Sequence, residues 1–147
     1  MSPVRTRACY TLCGLILAGC SSITAPEVAP ESVAGNIIQL DDRHAQICES
    51  PMGSGQWSAW GAFQHGCSLD FPFDANNQYR RGQHPADSTC MTYKKTGANC
   101  GEIRYESAEM EHTCYLHFVT PTSGTATKEG YGGDTYYKQR NILFSIK

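Results

Sequence analysis

Residues 90–105 read Cys90-Met91-Thr92-Tyr93-Lys94-Lys95-Thr96-Gly97-Ala98-Asn99-Cys100-Gly101-Glu102-Ile103-Arg104-Tyr105. In the second half of this stretch, Ile103 and Tyr105 alternate with Glu102, Arg104 and Glu106, the two-residue period of a half-buried strand. The first half, around Thr89–Tyr93, carries the β-branched and aromatic side chains that suit a pleated surface. Between them, Thr96-Gly97-Ala98-Asn99 is a turn signal, so a hairpin is predicted around Lys95–Asn99. Such a hairpin brings Cys90 and Cys100 together as one expected disulfide, with Cys48–Cys67 as the second. Cys114 is then left as a thiol buried in its own strand.

The same alternation recurs on either side. Thr113–Val119 is aromatic and β-rich and is bounded by Pro121. Tyr136, Ile142, Phe144 and Ile146 share one parity, interrupted by Lys138 and Arg140. Asn36–Leu40 and Cys67–Phe71 are further strand candidates. Asp74-Ala75-Asn76-Asn77 and Gly130–Asp134 supply turn residues. Helix signals are confined to Leu40–Glu49 and one turn at Ser107–His112. The expected fold is mainly β: a small antiparallel β sandwich or barrel with short helical segments, stabilised by disulfides.

The N-terminus has a different character. Met1–Arg7 carries two arginines and no acid, and an uncharged, mainly apolar run follows from Ala8 to Gly19. That order is the pattern of a secretory signal. The run falls short of the roughly 20 apolar residues that a spanning helix needs. Its ending, Leu17-Ala18-Gly19-Cys20, resembles the lipobox of bacterial lipoproteins over about the first 22 residues. The resemblance implies a diacylglycerol on the Cys20 thiol, cleavage before Cys20, and an acylated amine. Several acyl chains anchor a protein stably to a membrane. Ser21 after the cysteine implies passage to the bacterial outer membrane, with the domain facing the periplasm or the cell surface.

The expected organisation is therefore a signal peptide at 1–19, a lipidated cysteine and flexible tether at 20–35, and one globular β-rich domain at 36–147. The tether assignment rests on the Pro- and Ser-containing run from Ser21 to Gly35. Removal of residues 1–19 leaves 12 − 2 = 10 basic and 14 acidic side chains, a net charge near −4. That balance carries no electrostatic footprint for nucleic acid. Five cysteines remain after the signal and Cys20, namely Cys48, Cys67, Cys90, Cys100 and Cys114. An odd count in an oxidising compartment permits two bridges and one leftover thiol.

The chemistry-bearing segments favour binding over catalysis. Trp57, Trp60 and Phe63 recur at a spacing of three, so they line one side of a helix or an irregular loop. Tryptophan is a favoured interface anchor, which makes these three binding candidates; core filling is the competing role. The spacing is similar to the tryptophan ladder of thrombospondin repeats, whose three cysteine pairs and flanking arginines are absent. His65-Gly66-Cys67 and His112-Thr113-Cys114 each place an imidazole and a sulfur on one strand face. A metal centre needs three or four convergent ligands, and no second matching pair appears, so no metal and no cofactor is expected. Catalytic signatures are likewise missing: there is no G-x-S-x-G, H-E-x-x-H, phosphate-binding glycine loop or dinucleotide fingerprint. No catalytic residue is therefore assigned.

The last candidate is Thr122–Tyr137, read as a long loop carrying Lys128 and Tyr131 as binding residues. Its Ser123-Gly124 and Thr127-Lys128 resemble the inhibitory loops of membrane-bound lysozyme inhibitors, small β-barrel lipoproteins, over those few residues. The expectation is an envelope lipoprotein, held by the lipid on Cys20, whose domain binds a protein or cell-wall component. It would act as an accessory part of an envelope machine or as an inhibitor of a hydrolase. Alternatives are a small envelope enzyme, hydrolytic or thiol-dependent, and a passive structural lipoprotein.

Overall fold

The computed structural model describes residues 28–81, 89–107 and 110–147; the signal segment, Cys20 and the first part of the tether lie outside them. The described residues form ten strands and no helix. They are β1 (Ile37–Asp41), β2 (Gln46–Pro51), β3 (Gly61–Ala62), β4 (Ser68–Pro72), β5 (Gln78–Arg81), β6 (Thr89–Gly97), β7 (Cys100–Glu106), β8 (Met110–Thr120), β9 (Ser123–Gly132) and β10 (Thr135–Ile146). All pairings are antiparallel within one sheet, in the order β3-β2-β10-β9-β8-β7-β6-β5. β10 is long enough to take two partners on its other edge: β2 pairs with its first half and β1 with its second. β4 adds to the outer edge of β1.

The sheet is coiled, and the core shows why. Ile38 and Leu40 of β1 join Met91 and Tyr93 of β6 in a single buried cluster. Four strands separate β1 from β6, and neighbouring strands lie about 4.8 Å apart, so a flat sheet would hold these side chains far from one another. Coiling gathers Ile103, Cys114, Leu116, Phe118, Ala126, Ile142 and Phe144 into the same interior. Phe118 and Phe144 meet edge to face at 4.9 Å.

The expected β6–β7 hairpin is present, but its register corrects the disulfide assignment. Cys90 stands opposite Glu106, and Cys100 stands opposite Gly97 at the turn. Cys100 and Glu106 are six residues apart on β7, roughly 20 Å along a strand. A disulfide needs Cα atoms within about 7 Å. Cys48 is buried and Cys67 exposed, and all five described cysteines are free thiols. Cys114 is buried in β8, as its alternation predicts.

Three further expectations change. Leu40–Glu49 is not helical: β1 ends at Asp41, a turn closed by Ala45 N donating to Asp42 O follows, and β2 begins at Gln46. Ser107–His112 is not a helical turn where it is described, since Met110–His112 open β8. Thr122–Tyr137 is not a long loop either. Ser123–Gly132 are β9, and a tight turn at Gly133–Asp134 leads into β10.

The tether is also shorter than its composition suggests, because residues 28–36 are packed onto the domain. Val33 is fully buried and Ala29 nearly so. Val28 N and Ala29 N both donate to Ala98 O, at 3.0 and 2.9 Å, and Tyr93 Oη donates to Pro30 O at 2.7 Å. Val33 N and Ser32 Oγ both reach Asn77 Oδ1 at 2.8 Å.

Candidate functional site: an aromatic groove on the outer sheet face

β10 carries a bulge between Gln139 and Ile142, where Asn141 takes φ 63°. Asparagine tolerates this left-handed conformation better than most residues. The extra residue switches which parity faces inward. Ile142 and Phe144 point into the core, and before the bulge Gln139 is buried too, while Tyr136, Lys138 and Arg140 are exposed. This switch is the physical reason that the lysine and arginine interrupted the simple alternation.

The outward side chains of β8, β9 and β10 then line up across the sheet. One row runs Tyr136–Tyr131–Glu111, and the next runs Lys138–Glu129–Thr113. Tyr115 lies beyond them on β8. Together with Trp57 these residues line an open groove of about 300 Å³. Tyr131 and Tyr136 pack edge to face at 6.2 Å. Tyr115 Oη donates to Glu129 Oε1 at 3.1 Å, and Lys138 Nζ lies 3.9 Å from Glu129 Oε2. Both members of that ion pair are half exposed, so it orients the groove more than it stabilises the fold.

Trp57 reaches the groove from the exposed segment 52–60. Gly53 and Gly55 bend this segment with φ of 79° and 64°. Ser58 N donates to Glu49 O at 2.8 Å, and Met52 N donates to Asp134 O at 2.8 Å, which tie the segment to β2 and to the β9–β10 turn. Lys138 Nζ sits 4.8 Å from the centre of the Trp57 ring, and the Arg140 guanidinium 4.2 Å from that of Trp60. Each cation draws an indole against β10 through the negative face of its ring.

The structure therefore brings Trp57 and Tyr131 together and sends the other candidates elsewhere. Trp60 is exposed beside Arg140 but is not part of the groove wall. Phe63 packs against the core. Lys128 stands on the inner face, paired in register with Cys114 and Gln139. Tyr115, Tyr136, Lys138, Glu111 and Glu129 were missed as site residues. Their signal is strand parity, which becomes readable only once the bulge is placed.

Beneath the groove floor lies a second row, Tyr105–His112–Gly130–Tyr137. The Tyr105 and His112 rings stack at 4.3 Å, and His112 stands 6.2 Å from Tyr137 across the glycine. Burial pushes the His112 imidazole down to about 4, and the Lys128 charge adds to this. Its Nδ1 is buried without a hydrogen-bond partner among the described residues, consistent with a neutral ring. Burial raises the Tyr137 hydroxyl to about 12, with Tyr105 and Cys114 adding to the shift. The Cys114 thiol rises to about 11 through burial, partly opposed by Lys128. A thiol held protonated in this way is a poor nucleophile. Among the described residues no three His, Cys, Asp or Glu side chains converge as a metal site. His84 and Glu109 lie outside the described residues. The arrangement is suited to holding a ligand against aromatic faces. Comparison with protein-family models, with curated proteins and with solved structures finds no match to this chain.

Proposed function

We propose that this chain is an envelope lipoprotein whose β domain, a barrel-like coil, binds a protein or cell-wall component through the outer-face groove. The membrane attachment rests on the lipobox-like Leu17-Ala18-Gly19-Cys20. The observation that carries the binding reading is the placement of Trp57, 45% exposed, over a groove walled by Tyr131 and Tyr136. A domain that merely needed to bury its largest side chain would not leave it there. Indole and phenol rings offer large contact areas with few rotatable bonds, which lowers the entropic cost of binding.

Crosslinking in intact envelopes tests this reading. Wild type and Trp57→Ala are compared for a captured partner, be it a protein or glycan-bearing wall material. Capture that depends on Trp57 supports the proposal, and equal capture by both refutes the groove as the site. Palmitate labelling of wild type and Cys20→Ser tests the anchor separately; label that persists in the variant removes it.

A further inference from the structure

Resting on that reading of the groove, we infer that its occupant is a neutral oligosaccharide chain. Three properties of the groove point to a sugar. First, its rings alternate with hydrogen-bonding groups. Trp57, Tyr131 and Tyr136 stand among Thr113, Glu111, Glu129 and the Tyr115 hydroxyl. A pyranose presents an apolar C–H face with hydroxyls around its rim, so it requires stacking and hydrogen bonding together. A lipid tail would strip water from Glu111 and Thr113 and offer them no hydrogen bond in return, at a cost.

Second, the charges facing the groove are largely matched with one another. Lys138 lies between Glu129 and the Trp57 ring, and Glu129 also accepts from Tyr115. Glu111 adds one further negative charge, which repels a polyanion and is too little to reward a polycation. Third, the groove is small and open. Its volume of about 300 Å³ sits at the lower end of small-ligand sites, roughly 300–1,000 Å³. A short stretch of a longer glycan fits that size.

The position of the groove agrees. Val28, the first described residue, is bonded to Ala98 at the β6–β7 turn. Asn99 beside it accepts from Phe118 N. The groove row at Thr113 lies five residues back along β8, roughly 17 Å from that end. Only residues 21–27 separate Cys20 from Val28, a span of at most about 29 Å. The groove thus lies toward the end of β8 opposite Val28, so a bilayer holding Cys20 leaves it open to material lying beyond.

The chain contains two tryptophans, so Trp60→Phe leaves Trp57 as the single reporter. The full-length Trp60→Phe protein in lipid vesicles is titrated with chitohexaose, cellohexaose and maltohexaose, following indole emission. The expected result is a saturable emission change with at least one of these glycans. The affinity measured by calorimetry on the wild type should weaken about tenfold or more in Trp57→Ala and in Tyr136→Ala, and much less in Trp57→Phe. Circular dichroism checks that each variant is folded. Absence of any saturable change with all three glycans, or binding that survives both alanine variants, overturns the inference. If no glycan binds while a protein is crosslinked in a Trp57-dependent way, the glycan inference falls and the binding function stands. If neither occurs, both fall.

Discussion

The His112 imidazole lies flat against the Tyr105 ring, with centroids 4.3 Å apart and planes 6° from parallel. Its neutral form is favoured there, since burial first and Lys128 second depress its proton affinity to about 4. In the unfolded chain a histidine titrates near 6.5. Between these values the unfolded chain binds a proton that the folded one refuses, so stability rises with pH. The contribution is complete above about pH 6.5, is lost as pH falls toward 4, and is flat below. Its size is roughly 3 kcal/mol for a shift of this extent. Urea melts at pH 7.5 and 4.5 should show this loss in wild type and a much smaller one in His112→Phe.

Gly130 and Gly132 are two residues apart on β9, yet they should respond differently to a methyl group. A Cβ on Gly130 would collide with Glu111 O and with the Cα and Cβ of His112, which are fixed by the sheet. On Gly132 the nearest atoms are in the Met110 side chain at 3.6 Å, an ordinary contact. Gly130→Ala should therefore cost about 3 kcal/mol, in line with overpacking of a fixed site. Gly132→Ala should stay within about 1 kcal/mol. Thermal denaturation of the two variants checks the contrast.

The N-terminal clamp makes its own prediction. Tyr93→Phe removes the hydrogen bond to Pro30 O and should cost about 1 kcal/mol. Val33→Ala removes fully buried methyl groups and should cost about 2 kcal/mol. In both variants limited proteolysis should cut within residues 28–36 sooner than in wild type. Unchanged cleavage there would mean that these contacts do not hold the segment.

Thiol labelling separates the cysteines by position. With reducing agent removed and the protein folded, iodoacetamide should modify exposed Cys67 and Cys100 first. Cys48 and Cys114 should label only after unfolding, Cys114 slowest because its thiol is pushed up to about 11. Mass spectrometry of peptides at successive times measures the order. Early modification of Cys114 would contradict its burial in the core inside the coiled sheet.

Much of the fold was legible because alternation is a local property. Ile103 and Tyr105 against Glu102 and Arg104 identified β7, and the Thr113–Val119 pattern identified β8 with Cys114 facing inward. The hairpin between β6 and β7 followed from Gly97 to Asn99. Its register did not, and a disulfide assigned from the presence of a turn failed because two cysteines in one hairpin can still lie six residues apart along it.

The site was less legible. Trp57 was visible as a large side chain for which core filling competed with binding, and Tyr131 as one of several tyrosines near the C-terminus. What joined them lies 74 positions of chain apart and depends on which strands pair. By itself the sequence determined a mainly β chain, the strand identities at its centre and the lipobox-like N-terminal motif, since each depends on neighbouring residues alone. Tertiary structure decided the rest. The coil of the sheet buried Val33 in what composition marks as a tether, and the bulge at Asn141 turned Tyr136 and Lys138 outward beside Trp57. Pairing and coiling are set by contacts between distant segments, which a two-residue period does not encode.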